Sequence, residues 1–459
     1  MKLLLLNPIN RSYVVMPSLG LGYLASVAVR AGFKVKILNC IKEKMTYDGF
    51  GRYIGQEAFD VIGFQLFSYD LNSVRKHISI IRSVSPRSVI IAGGAHPSGD
   101  PAGTMAYLKD LDYAFQCEAE SGLPLLLDLL SGGAGDFEAI PGLVWRCGDT
   151  VRVNPPHFVQ NLDDIPMPAW DLLLPETYPE APHGAFTKKF PTAPIIISRG
   201  CPCKCTFCAG GSINGKRVRR RSVDNVIEEL RCLAGRGIRE FHIEDENFTE
   251  SRDFVFEFCD RLNSEGLKMS WSLPSGIRID KIDRETLLAM AKAGCYSLAI
   301  GIEFGSDRIL ELTRKGYTVA TVKEKLMLFK GVGIKVTGFF MFGLPGETLD
   351  EMKQTVRLAL ELPLDRAQFN IFMPLPGSVE WDNLQRGNML EDLDWDRFFV
   401  HDVAYSDKSK SAMEIKRIQR FAVLRFYLRP RILFRLLSEI RSGGHVFHLC
   451  KRTIDALIK

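Results

Sequence analysis

The chain is 459 residues long, enough for two or three domains. Hydrophobic residues make up 46% and charged residues 25%, which excludes a disordered, collagen-like or coiled-coil protein. The net charge of +5 is too mild to mark a nucleic-acid binder, and it is unevenly spread: residues 408–459 hold 13 Lys and Arg against 3 Asp and Glu.

The opening MKLLLLNP has too short an apolar run for a signal peptide and reads as a strand. Further nearly all-apolar runs follow at 34–39, 61–67, 88–92 and 113–116, as expected of strands covered on both faces. Between the first two, Leu21, Leu24, Ala25 and Ala28 recur at helical spacing, with Ser18 before them and Gly32 after. The prediction is a doubly wound, five-stranded parallel sheet, α/β in class and Rossmann-like, over residues 1–140. Ligands of such sheets bind at the carboxyl ends of the strands, where the loops are 7–18, 68–72, 93–100 and 117–121. Residues 141–190 read as a connector, with a hairpin turning at Gly148-Asp149 and then a proline-rich stretch. A second βα series has strands near 194–198, 240–244, 268–273, 297–302, 335–342 and 367–372. Six units predict a partial (β/α)6 barrel over 191–385, and a basic helical C-terminal region, broken at Pro430, fills 386–459.

Of the eleven cysteines, four stand between positions 201 and 208, a metal-ligand spacing suited to a reducing compartment. Cys201, Cys205 and Cys208 form C-x3-C-x2-C on a loop directly after a barrel strand. Three thiolates can hold three corners of a cubane iron–sulfur cluster and leave the fourth iron open. Structural zinc is the alternative, but it wants four protein ligands, usually in two separated pairs, and no second pair follows. Cys203 sits where it would crowd the other three.

This spacing, with Phe207 before the last cysteine, resembles the radical S-adenosylmethionine (SAM) enzymes. The resemblance implies a [4Fe-4S] cluster whose open iron chelates SAM, which one electron cleaves to a 5′-deoxyadenosyl radical. Further matches come in order, each at a strand end. The stretch His242-Ile-Glu-Asp-Glu-Asn-Phe-Thr249, with Asp245 and Glu246, looks like the acidic segment near the SAM amine. In Gly301-Ile-Glu-Phe-Gly-Ser306, Glu303 is similar to the carboxylate that holds the ribose hydroxyls. Gly343 and Gly346, in Gly343-Leu-Pro-Gly-Glu-Thr348, resemble the turn near the adenine.

The N-terminal domain resembles the cobalamin-binding domain of B12-dependent radical SAM enzymes. The matching pieces are Asn7-Pro8, the Pro17–Ser26 stretch with Leu19 and Gly20, and Gly93-Gly94. The loops carrying Ser68, Tyr69 and Glu118 complete the expected cobalamin contacts. His96 imitates a cobalt-ligand box but follows the fourth strand, with Gly94 in place of the orienting Asp, so it is read as a decoy. The alternative is a flavodoxin-like domain that has lost its ligand or adapted to a substrate.

The expected function is methylation of an unactivated carbon in a small-molecule or lipid-like substrate, with methylcobalamin as methyl donor. Its alternatives are radical cyclisation or carbon–carbon coupling with the same cofactors, and a non-catalytic cobalamin or iron–sulfur sensor. The substrate-side catalytic residues are unknown from sequence; Cys295 and Tyr296 read as packing residues. A flavodoxin or ferredoxin would donate electrons, and nucleic acid is not an expected partner. No run approaches 18 uncharged apolar residues, so a cytoplasmic location is expected. In the tail, Leu433, Leu436, Leu437 and Ile440 fall on one side of a helix and Arg431, Arg435 and Ser438 on the other. Packing with a solvated basic face is one reading, and peripheral contact with an anionic inner-membrane surface, with Phe426, Tyr427, Phe434 and Phe447 as anchors, is the other.

Overall fold

The computed structural model describes residues 1–12, 15–180, 187–390 and 393–438. The first sheet contains β1 (Lys2–Asn7), β2 (Lys34–Asn39), β3 (Val61–Gln65), β4 (Val89–Gly93), β5 (Tyr113–Phe115), β6 (Leu143–Cys147) and β7 (Thr150–Val153). Their order is β2-β1-β3-β4-β5-β6-β7, with β1 to β5 parallel and β6 and β7 antiparallel. The sheet therefore has seven strands rather than the expected five. The hairpin assigned to the connector pairs with β5, where Phe115 stands opposite Leu143, because Leu143 and Val144 are apolar enough to be buried there.

Alternate leucines of β1 explain why the strand is apolar throughout. Leu4 and Leu6 pack with Phe50, Ile54, Val74 and Ile78 from helices on one face. Leu3 and Leu5 pack with Leu21, Ala25 and Ala28 of the helix Leu19–Arg30 on the other. Each such leucine contributes about 2 kcal/mol when fully buried, and a charge at any of these positions would break the layer. Ser18 caps that helix as expected, accepting the Leu21 N–H at 3.4 Å.

The second unit comprises β8 (Thr192–Ile195), β9 (Ser198–Arg199), β10 (Arg219–Arg220), β11 (Glu240–Ile243), β12 (Ser270–Ile277), β13 (Cys295–Glu303), β14 (Lys335–Phe342) and β15 (Arg366–Ile371). Six of these form one parallel sheet in chain order, β8-β11-β12-β13-β14-β15, the partial barrel expected. β9 and β10 form a separate two-stranded antiparallel ribbon, so the run expected at 194–198 is divided between two sheets. The helix Ala412–Tyr427, opened by a reciprocal Ser411/Glu414 cap, lies along the edge strand β15. There Gln419 donates to the Phe369 carbonyl at 2.8 Å and Tyr427 to the Ala367 carbonyl at 2.7 Å. Those bonds satisfy an edge that would otherwise invite another strand.

A second helix, Pro430–Ser438, begins at the proline expected to break the region. Its faces differ from the expectation: Ile432 is buried, while Leu433 and Phe434 are exposed. Phe426 is fully buried and Tyr427 is bonded to β15, so neither is a surface anchor. The side chains of Leu436 and Leu437, and residues Ile440 and Phe447, lie outside what the structure describes. Among the described residues, no helix is long and apolar enough to cross a membrane.

Candidate active site between two strand-end faces

The carboxyl ends of the two parallel sheets face one cleft enclosing about 1010 Å³, its open mouth included. Gly20, Gln65, Gly93 and Gly94 line it from the N-terminal side, and Ser198, Arg199, Asn214, Glu244 and Glu246 from the barrel side. A Cβ added at Gly20 or Gly93 would meet protein only at 4.0 or 3.9 Å, so both present bare backbone to open space. A flat macrocycle needs that kind of wall, since backbone can approach it closely. The residues present thus fit cobalamin.

Of the residues expected to contact cobalamin, Gly20, Gly93, Gly94 and Glu118 border the cleft; Asn7, Pro8, Leu19, Ser68 and Tyr69 do not. Pro8 and Leu19 are packed inside, and the Asn7 carbonyl accepts the Cys40 N–H at 3.1 Å. Tyr69 is stacked on Phe67 at 5.4 Å, and the Ser68 hydroxyl is 2.9 Å from His96 Nδ1. His96 itself is buried, edge-on to Trp395 at 5.1 Å, and burial pushes its pKa down to about 4. It is held between Ser68 and Trp395. Sequence reasoning missed Gln65, whose only local signal is that it ends a strand, and Arg199, Asn214 and Tyr23.

Glu118 reaches the cleft with its carboxylate already in use. Arg219 donates to both its oxygens, at 2.8 and 2.9 Å, and the Val159 N–H donates to one of them at 2.7 Å. These bonds hold its pKa below the usual carboxylate value although burial opposes ionisation. Its side chain fastens two parts of the protein together instead of waiting for a ligand.

The cysteine loop leaves the ribbon at Gly200, whose φ is 99°. A Cβ there would lie 2.3 Å from the Arg217 carbonyl, so only glycine makes this turn without displacing backbone. Cys201, Cys203 and Cys205 are half-buried and Cys208 is exposed, its sulfur accepting the Gly210 N–H at 3.3 Å. Among the described residues no three His, Cys, Asp or Glu side chains are gathered closely enough to hold one metal ion. The loop nevertheless supplies a soft, all-sulfur donor set with an N–H···S hydrogen bond of the kind that tunes iron–sulfur clusters, and so fits a cluster rather than a hard cation. Cys203 hydrogen-bonds the Arg278 guanidinium, whose charge also reaches Cys205.

Asp245, expected near the SAM amine, does not border the cleft. It is buried beneath the loop's entry, accepting the Ile197 N–H at 2.8 Å, the Ser198 N–H at 2.9 Å and the Ser198 hydroxyl at 2.6 Å. These bonds draw the backbone off β8 and set its course into the ribbon. Glu246 points the other way and lines the cleft, accepting the Gly200 N–H at 3.2 Å and a bond from Asn214. Burial raises its pKa.

Glu303 ends β13 with φ at 68°, unusual for a residue with a side chain. One of its oxygens is 2.9 Å from Lys315 Nζ, and both groups are nearly buried. Burial disfavours the Lys315 charge, but Glu303 and its other neighbours outweigh it and raise the Lys315 pKa. The same ammonium lies 5.5 Å from the centre of the Phe207 ring, which meets Phe304 edge-on at 6.2 Å. Gly343 and Gly346 both have positive φ, and Glu347 closes their turn by accepting the Gly343 N–H at 2.7 Å. Burial pushes the Glu347 pKa up to about 8.

The family model of the radical SAM superfamily matches residues 195–359, and that of the B12 binding domain matches residues 9–127. The chain is 32% identical to an uncharacterized methyltransferase of Pyrococcus horikoshii over 100% of this chain and 98% of that protein. It is also 32% identical to cytidylyl-2-hydroxyethylphosphonate methyltransferase of Streptomyces wedmorensis, over 78% of this chain and 76% of that one. Its fold is shared with TsrM from Kitasatospora setae, a radical SAM methyltransferase solved with cobalamin and a [4Fe-4S] cluster (TM-score 0.67, 20% identity, 84% of this chain, 75% of that one). It is shared too with the cobalamin-dependent radical SAM enzyme OxsB (TM-score 0.73, 17% identity, 98% of this chain, 70% of that one). The chain belongs to the cobalamin-dependent radical SAM methyltransferase family. Its cofactors are a [4Fe-4S] cluster, SAM and cobalamin.

Proposed function

We propose that the protein methylates an unactivated carbon of a small molecule, and that this carbon sits in the cleft between the two strand-end faces. The observation that carries the reading is that one cavity is bordered both by bare glycine backbone of the B12-type domain and by the ribbon and acidic segment that flank the cysteine loop. When bound, the cluster and SAM supply a hydrogen-abstracting 5′-deoxyadenosyl radical, and cobalamin carries the methyl group. Cys201, Cys205 and Cys208 hold the cluster in this reading. Glu303, with one oxygen steadied by Lys315, accepts the ribose hydroxyls of SAM. Phe207 and the Gly343–Gly346 turn border the rest of SAM, and Glu246 faces its amine. Gly20, Gly93 and Gly94 give cobalamin its close backbone wall.

The test is anaerobic incubation with methyl-labelled SAM, cobalamin and candidate substrates. The first compound to try is the cytidylyl-2-hydroxyethylphosphonate that names a relative 32% identical to this chain. Labelled methyl in a product, formed with deoxyadenosine, is the expected result. Deoxyadenosine with an unlabelled, rearranged product would mean cyclisation or coupling, and none under any condition would mean a sensor.

A further inference from the structure

Arg199 and Arg219 stand directly opposite each other on the β9–β10 ribbon, and the loop between them carries all four clustered cysteines. Both arginines reach across to the loop after β5 in the N-terminal domain. Arg219 takes Glu118 bidentately, at 2.8 and 2.9 Å. Arg199 stands 3.3 Å from the same Glu118 and 2.7 Å from Glu120. All four side chains are nearly buried, with 4 to 11% of their surface exposed. Arg219 also donates to the Asn214 and Val159 carbonyls at 2.7 Å, and Arg199 lies over the Tyr23 ring at 4.9 Å. Other contacts tie the loop to the barrel: Glu246 through Gly200 and Asn214, and the Thr206 N–H to the Thr313 carbonyl at 3.1 Å.

We propose that Glu118 and Glu120 are positioning residues, which through Arg219 and Arg199 fix the cluster loop's place relative to the cobalamin domain. The proposal rests on the two-cofactor reading above. Its physical basis is that buried charges have no water to exchange partners with. Sliding the ribbon away from β5 would strand two guanidiniums and two carboxylates, and stranding even one such charge is strongly unfavourable. A single carboxylate shared by both arms of the ribbon resists motion along the strands and also rotation about them. Radical transfer depends on that spacing, since a displacement of about 1 Å can cost about 100-fold in rate.

Glu118→Gln and Glu120→Gln, with Glu118→Asp as the conservative control, test this in the full chain. Two readouts report spacing and loop order rather than turnover. One is hydrogen exchange of peptides covering residues 200–218 in the chain without added cofactors. The other is relaxation enhancement of the cob(II)alamin electron-resonance signal by the reduced cluster in the reconstituted protein. In Glu118→Gln, exchange across 200–218 should rise about tenfold or more. The relaxation enhancement should change while iron and cobalamin content stay at wild-type values, and Glu118→Asp should recover part of both effects. Wild-type exchange and relaxation in Glu118→Gln would overturn the proposal. If that variant does not fold, Glu120→Gln decides on the same two criteria, because among the described residues Glu120 pairs with Arg199 and not with Arg219. Failure of the wild-type protein to methylate anything would defeat the functional reading but leave the exchange comparison standing.

Discussion

Replacing Asp245 with Asn separates a scaffold role from a SAM-binding one. The carboxylate accepts three hydrogen bonds in a buried setting, two from backbone N–H groups at 2.8 and 2.9 Å and one from the Ser198 hydroxyl. An amide keeps one acceptor oxygen and puts an NH2 where the second stood, so one backbone N–H then faces another donor whichever way the amide is turned. A hydrogen bond to a charged group contributes about 1.5–3 kcal/mol and an orphaned buried donor costs about 1–3 kcal/mol. The serine hydroxyl can rotate and recover part of the loss. The net cost should be about 3 kcal/mol of barrel stability, measured by urea unfolding of the cofactor-free chain at pH 8. Because the lost bonds set the path into the cysteine loop, iron retained after reconstitution should fall as well, with Ser198→Ala showing a smaller effect in the same direction. Unchanged stability and iron content with SAM affinity lost would refute the scaffold role and return Asp245 to the SAM site.

Replacing Cys201, Cys205 or Cys208 with Ala should abolish iron binding and its brown absorbance, whereas Cys203→Ala should retain both; equal loss in all four would refute the three-thiolate assignment. Glu303→Gln should weaken SAM binding by about tenfold or more, through loss of a charge-assisted hydrogen bond worth about 1.5–3 kcal/mol, while the cluster still assembles. Calorimetric titration with SAM checks this, and unchanged affinity would remove Glu303 from the site. His77 and His96 are both held neutral by burial, their pKa values down to about 4 from 6.5. A depressed histidine lends stability in full above pH 6.5 and loses it as pH falls towards 4. Acid should therefore cost roughly 3 kcal/mol for each histidine, and replacing either with Gln should flatten the urea-unfolding profile between those limits.

What could be read from sequence was what neighbouring residues decide together. β1, β2 and β14 begin and end where their apolar runs do; β1 is apolar throughout because both its faces are covered, whereas β2, at the sheet edge, turns Lys34 and Lys36 to solvent between its apolar residues. The Ser18 cap and the Thr348/Glu351 capping box are likewise settled within four residues. The functions of Asp245 and Glu118 could not be read this way. Asp245 answers to Ser198, 47 residues earlier, and Glu118 to Arg219, 101 residues later. An acidic residue at a strand end looks the same in sequence whether it awaits a ligand or holds a distant loop. The hairpin of β6 and β7 was legible from its turn, but its pairing with β5 was not, for a related reason: a hairpin joining a sheet by its edge leaves the same alternating pattern as one packed in a connector.

A carboxylate's partners distinguish the two kinds of acid that the strand ends carry. Asp245 and Glu118 direct their oxygens at N–H groups of the same chain, two and three of them backbone or guanidinium donors held in fixed directions. Such a group gains nothing by accepting from a ligand and would release a buried donor if it turned. Glu303 and Glu246 are placed differently. Lys315 takes one oxygen of Glu303 with its buried ammonium, and Glu246 faces the cleft with partners that both belong to the cysteine-loop region. The same fold thus uses Asp245 and Glu118 to set where the cysteine loop runs, and Glu246 does so too, through Gly200 and Asn214, while facing the cleft. Turning Glu118 or Asp245 towards a ligand would orphan the buried Arg219 guanidinium in the one case and the Ile197 and Ser198 N–H groups in the other, a cost that holds both carboxylates where they are.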